Sequence, residues 1–228
     1  MEYTARRTFG KGWYANEPEG IMRHVFAMVA MAAMWAGLAA GQAPNTLSAK
    51  EKAEGWTLLF DGKSLTGWEI HGGPEWKAAG GTLVSEGGKP GWLGTTATYG
   101  DFILKAEFRT GAKTNSGIYL RAAKEGGAPR QTGYEVQVRD FPEPNENPVY
   151  LTGSIVRHAV ATGGVKIIPD QWNTFEITAQ GDHLVVVYNG KPVVDTHDPK
   201  SAAGVIGLEF NNAKIEFRNV KLRPLGKR

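Results

Sequence analysis

No cysteine occurs anywhere in the 228 residues. Its absence excludes disulfides, thiolate metal sites, a cysteine nucleophile and an acylated-cysteine lipid anchor. Methionine is missing beyond Met34, so the first segment reads as different in origin from the body. Charge of one sign is scarce: 26 Lys plus Arg stand against 23 Asp plus Glu, a net +3. No basic run stands out, so nucleic acid is not expected as a partner. Histidine is scarce and scattered over His24, His71, His158, His183 and His197, with no HxxxH or HxH pair, so no two-histidine metal site is visible locally. There is no GxSxG elbow. Asp61-Gly62-Lys63-Ser64 ends like a phosphate-binding loop, but Thr57 stands where the first glycine must be and no helix pattern follows.

What is present begins with an N-terminal address. Arg23 and His24 precede an apolar run over 25–40, and Ala39-Ala40-Gly41 and Gly41-Gln42-Ala43 offer small-x-small cleavage sites. That is the layout of a secretory signal peptide over 22–41. The run is short for a membrane span and lacks a basic flank after it; an uncleaved N-terminal anchor is the alternative. Residues 1–21 are unlike anything that precedes a signal and read as a mis-assigned extension before a true start at Met22. The expectation is a periplasmic or secreted bacterial protein with no stable membrane insertion after cleavage. Residues 42–52 are polar and read as a disordered linker, and 53–228 as one domain with ample length for a core.

Period-2 alternation dominates that domain, and no 3.6-residue pattern persists. DFILKAEFR places Phe102, Leu104, Ala106 and Phe108 on one face. SGIYLRA places Ser116, Ile118, Leu120 and Ala122 on one face and, with the preceding Asn115, puts Asn115, Tyr119 and Arg121 on the other. YEVQVRD separates Tyr134, Val136 and Val138 from Glu135, Gln137 and Arg139, and TFEITA separates Phe175 and Ile177 from Glu176 and Thr178. In HLVVVYNGKPVVD, two β-branched runs flank Asn189-Gly190, the residues of a type I′ hairpin turn. Many short strands between Gly, Pro, Asn and Asp predict an all-β sandwich or barrel. FPEPNENPVY reads as a long exposed loop, a common carrier of function.

The polar faces of two of these strands suggest a site. If NSGIYLRA and YEVQVRD are neighbours, Arg121 and Glu135 or Gln137 form one platform. The other reading is of solvent-facing residues in cross-strand ion pairs. Of the tryptophans, Trp56 and Trp172 read as buried, while Trp92, set among glycines in GWLGT, is a candidate for stacking on a sugar. His158, in GSIVRHAV after the long loop, can reach over the sheet. Asp195, His197 and Asp198 of DTHD read as turn chemistry before Pro199.

The ordered motifs WTLLFDGKSLTGWE, YGDFILKAEFRT, NSGIYLR, TGYEVQVRD, QWNTFEITAQGDHLVVVYNGKPVVD and IEFRNVKLRPL, from about Trp56 to Leu225, resemble the 3-keto-disaccharide hydrolase domain family. The resemblance implies a concanavalin A-like jelly-roll sandwich with antiparallel sheets, bacterial export, and action on sugars whose C3 hydroxyl has become a ketone. It points to Asn115, Ser116, Gly117 and Arg121 of NSG…R and to Glu135, Gln137 and Asp140 of YEVQVRD. The E-x-D-x-E strand of sandwich-fold glucanases is absent, which weighs against two-carboxylate retention. A 3-ketone acidifies the C2 proton, so a base and a stabiliser of the enolate are needed. Glu135 is the candidate base, Arg121 the candidate stabiliser, and His158 an alternative base or leaving-group acid. Asn115, Gln137, Tyr119, Trp92 and Arg139 are candidates for holding the carbohydrate substrate. A divalent metal on Glu135, Asp140 and His158 is the alternative electrophile. A non-catalytic carbohydrate-binding module of the cell envelope is the competing function.

Overall fold

The computed structural model describes residues 42–125, 128–139 and 147–226. The segment expected to be a signal peptide, Asp140 and most of the Pro-rich loop lie outside them. Two antiparallel sheets pack face to face, the all-β sandwich that the alternation predicts. The larger sheet is built from β1 (Thr57–Leu58), β3 (Lys77–Ala79), β4 (Thr82–Ser85), β6 (Phe102–Thr110), β9 (Asn173–Gln180), β10 (His183–Tyr188), β11 (Lys191–His197) and β13 (Ile215–Pro224). Its order is β11-β10-β9-β6-β13-β4-β3, with β1 also on β13. The smaller sheet runs β2 (Trp68–Pro74), β5 (Gly88–Thr95), β12 (Val205–Phe210), β7 (Asn115–Ala122), β8 (Tyr134–Arg139).

The core lies between them. Phe102, Leu104, Ala106 and Phe108 of β6 and Phe175 and Ile177 of β9 face Ile118 and Leu120 of β7, Tyr134, Val136 and Val138 of β8 and Leu208 of β12, all essentially inaccessible. Each β-strand has one such face because successive side chains point to opposite sides. The β10–β11 hairpin turns through Asn189 and Gly190 at φ 46° and 80°, the left-handed pair that a type I′ turn needs. Asp61 closes a turn by accepting from the Lys63 and Ser64 amides at 2.7 and 2.8 Å, so DGKS is turn chemistry.

Residues 42–52 differ from the linker expectation. Helix α1 (Ala49–Ala53) is started by a capping box between Ser48 and Glu51. Glu51 also meets Lys221 of β13, and the Asn45 amide donates to Asn219 Oδ1 at 2.6 Å. The S-x-x-E signature is legible in the sequence, but five helical residues are too few to hold without the sheet beneath them.

Candidate functional site

The outer face of the smaller sheet carries the chemistry. In register, Tyr119 of β7 pairs with Glu135 of β8, Gly117 with Gln137, Glu209 of β12 with Trp92 of β5, and Trp92 with His71 of β2. Tyr119, Glu135 and Gln137 therefore share a face, as the alternation predicts. They are not solvent-facing: Glu135 is 2% exposed, Tyr119 and Gln137 are 4% exposed and Glu209 is 6% exposed.

The NSG motif explains how this face is assembled. The Asn115 amide donates to Asn212 Oδ1 at 2.8 Å. Ser116 points inward and its hydroxyl donates to the Glu209 carbonyl at 2.7 Å, fixing β12 beside β7. Gly117 leaves room: a Cβ there would lie 3.0 Å from Glu135 Cγ and 3.2 Å from Oε1. The Glu135 side chain thus lies over Gly117, on the face it shares with Glu209, and the Glu209 carboxyl acts on it. Tyr119 Oη donates to Glu209 Oε1 at 2.8 Å. Glu135 Oε2 and Glu209 Oε2 have no donor partner among the described residues. Two carboxylates buried side by side repel, which disfavours ionising both, and a proton on one of them would give the other a donor.

Electrostatics agree with that assignment. Burial, then the neighbouring Glu209 carboxylate, push the Glu135 carboxyl well above the ordinary range. Burial raises Glu209 as well, against the opposing effect of the Tyr119 hydroxyl. Burial, with Glu209 and Glu135 close by, raises the Tyr119 phenol, which stays protonated. Two cations face the pair. Arg130, on the short helix α2 (Pro129–Thr132), places Nη1 4.0 Å from Glu135 Oε2, and Arg157 acts on the same carboxyl.

Arg121 is not among them, and the expected platform of Arg121 with Glu135 is corrected here. Tyr119 pairs with Gly207 but Ala122 with Val205, so two residues of β7 oppose one of β12. Arg121 sits in this bulge at φ 51°, which reverses the alternation. Ala122 lands on the outer face with Trp92, Tyr119 and Val205, and Arg121 turns inward, 1% exposed. Its Nε donates to the Gly100 carbonyl at 2.8 Å. Its Nη1 donates to the carbonyls of Gly181 and Ser201 at 2.7 and 3.0 Å, and its Nη2 to Asp101 Oδ1 at 2.9 Å. Arg121 is a cross-sandwich tie.

His158 is likewise committed elsewhere. Its Nδ1 meets Asp198 Oδ2 at 2.6 Å, and Lys200 Nζ lies 3.4 Å from its Nε2. Asp198 also accepts from Tyr134 Oη and the Lys200 amide. Lys200 Nζ donates to the Arg130 and Gly133 carbonyls, both at 2.8 Å, so this knot anchors α2. The candidate metal set is not assembled here: Asp140 is outside the described residues, and among those described no three His, Asp or Glu converge on a metal position.

Of the proposed substrate-binding residues, Gln137 uses Oε1 to accept from the Val138 amide at 3.1 Å. Asn115 keeps a buried Oδ1 without a partner among the described residues, and half-buried Arg139 stands opposite Asn115. Trp92 lies on the outer face, edge-on to Tyr119 with centroids 6.1 Å apart. Glu209, Arg130 and Arg157 were not anticipated. Glu209 had a readable signal, as the lone charge in the apolar strand VIGLEF. Arg130 had none, since only tertiary packing brings α2 over β8.

No curated protein sequence matches the chain. Its structure resembles a crystal structure of a candidate glycosyl hydrolase from Parabacteroides distasonis, with 27% identity, TM-score 0.72, 80% of this chain covered and 100% of the other. A second from the same organism gives 26% identity, TM-score 0.64 and coverage of 75% and 99%. Carbohydrate-binding module CBM66 of Bacillus subtilis shares the fold at 18% identity, TM-score 0.54 and coverage of 69% and 95%. A sequence model of one family spans residues 55–223, the whole sandwich including β7, β8 and β12, and the chain therefore belongs to the 3-keto-α-glucoside-1,2-lyase-like domain family.

Proposed function

We propose that this protein cleaves glycosides whose C3 hydroxyl has been oxidised to a ketone, by removing the C2 proton and expelling the C1 substituent. The observation that carries this reading is the buried Glu135–Glu209 pair on the outer face, each carboxyl with one oxygen that no donor meets among the described residues. The ketone makes C2–H acidic enough for a carboxylate whose basicity has been raised by burial. Glu135, in its ionised form, takes that proton. Electrons from the C2–H bond form the enolate on the C3 oxygen and then the C1–C2 double bond as the C1–O bond breaks. Glu209 gives its proton to the departing oxygen. One carboxyl has gained a proton and the other has lost one, so the pair ends with the charge it began with. Water adding to C1 and a proton to C2 completes a net hydrolysis.

Arg130, aided by the charge of Arg157, supplies positive charge for the enolate oxygen, in place of Arg121. A guanidinium suits it because it stays charged and is already in place before charge develops. Carboxyls in contact are too close for retention through a glycosyl-enzyme, which needs about 5–5.5 Å between them. A binding module has no use for a buried carboxyl pair, whose desolvation works against folding; this favours the enzyme. The signal-like segment 22–41 supports action outside the cytoplasm.

The test is incubation in D2O with a 3-keto-disaccharide and with its unoxidised parent. Cleavage of the keto substrate alone, with deuterium at C2 of the released 3-keto sugar and a transient conjugated enone in the ultraviolet, is expected. Equal cleavage of the parent, or a product without deuterium at C2, overturns the mechanism.

A further inference from the structure

We infer that His71 is a displaceable plug on the sugar-stacking face of Trp92, and that substrate must push the imidazole aside to bind. The inference rests on the proposed carbohydrate reading and deepens it by naming the subsite beside the carboxyl pair.

The sequence reserves space for this indole. A Cβ at Gly94 would lie 2.3 Å from Trp92 Cζ3, and one at Gly207 would lie 2.7 Å from Trp92 Cε3. Gly94 and Gly207 are partners on adjacent strands, so two strands give up their side chains to receive one ring. Trp92 is not part of the main core; it belongs to the small outer-face cluster with Tyr119, Ala122 and Val205. Its neighbour on one side is Glu209 and on the other is His71. An aromatic ring bedded on glycines next to the reacting acids is what a pyranose needs for stacking its C–H face.

That surface is covered. His71 stacks on the indole with centroids 3.9 Å apart and planes 8° from parallel, leaving Trp92 8% exposed. The imidazole thus occupies the layer that a stacked sugar ring would take. It is held weakly. Its ring makes no hydrogen bond among the described residues, its one ionic neighbour is Glu69 at 4.0 Å, and its side chain is 26% exposed. Displacing His71 sacrifices one aromatic contact, and the sugar replaces it.

The experiment measures binding of a 3-keto-disaccharide by calorimetry and tryptophan fluorescence, alongside KM and kcat, in the wild type and in His71→Ala, His71→Phe, Trp92→Ala and the double variant. Removing the plug should tighten binding roughly three- to tenfold, the size of one aromatic pair, and should appear in KM rather than kcat. His71→Phe, a stronger stacker, should weaken binding. The gain from His71→Ala should vanish without Trp92. Unchanged or weaker binding by His71→Ala overturns the plug; tighter binding by His71→Phe overturns it too, and does so even if Trp92→Ala fails to fold. Absence of turnover by the wild type would overturn the lyase reading alone, because the binding series still decides the role of His71.

Discussion

Glu135 and Glu209, far apart in sequence, meet over Gly117 on the outer face of the smaller sheet, each with one oxygen that no donor reaches among the described residues. A carboxyl pair arranged in this way makes the fold sensitive to alkali. Both groups titrate higher in the folded state than in the unfolded chain, whose carboxyls lose their protons near the usual 4.5. Between those two ranges the folded protein binds more protons, so stability is fully present below the unfolded pKa and falls as pH rises through the folded one. The slope reaches about 1.4 kcal/mol per pH unit for one proton. Glu135→Gln should flatten the fall and raise the melting temperature at alkaline pH; thermal melts from pH 4 to 9 check it. A wild type that is equally stable across that span would contradict the shared proton.

The same pair sets the rate profile. One carboxyl must be ionised and the other protonated, so kcat/KM should be bell-shaped in pH, with both limbs belonging to the pair rather than to one residue. Glu135→Gln and Glu209→Gln should each lower turnover by roughly 10²–10⁴ while the circular dichroism spectrum stays native. Wild-type turnover in Glu135→Gln would remove it as the base.

Gly117→Ala is the mildest way to disturb the contact. The new methyl would press on Glu135 Cγ and Oε1 and push the side chain off Glu209. Turnover should fall tenfold or more, while stability drops by about 1–3 kcal/mol, the usual range for overpacking. Full activity would show that Glu135 does not need its present position.

Arg121 should behave as a structural residue. Removing its guanidinium leaves the carbonyls of Gly100, Gly181 and Ser201 without their side-chain donor, and leaves Asp101 with the Gly181 amide but without its buried counter-charge. Arg121→Ala should cost about 3–5 kcal/mol, seen as an early urea midpoint, and Arg121→Lys should recover little, because an ammonium cannot span the same fork of acceptors. A folded, fully stable Arg121→Ala that lacks only catalysis would restore Arg121 to the site.

Much of this architecture was legible in the residues. Alternation in DFILKAEFR, YEVQVRD and TFEITA fixed which side chains face the core, because a strand's two-residue period leaves no other way to bury Phe102, Val136 or Ile177. Asn189-Gly190 announced its hairpin because few other residues tolerate two successive positive φ angles. The outward direction of Tyr119, Glu135 and Gln137 followed from the same parity. Tertiary structure decided the rest. The bulge at Arg121 exists only because β12 pairs with one residue fewer than β7 offers, and that mismatch belongs to two strands at once. The meeting of Glu135 with Glu209, the approach of Arg130 on α2 and the capture of His158 by Asp198 each join segments distant in the chain. Periodicity tells a side chain which face it shares; only the packing of neighbouring strands tells it which partner waits there.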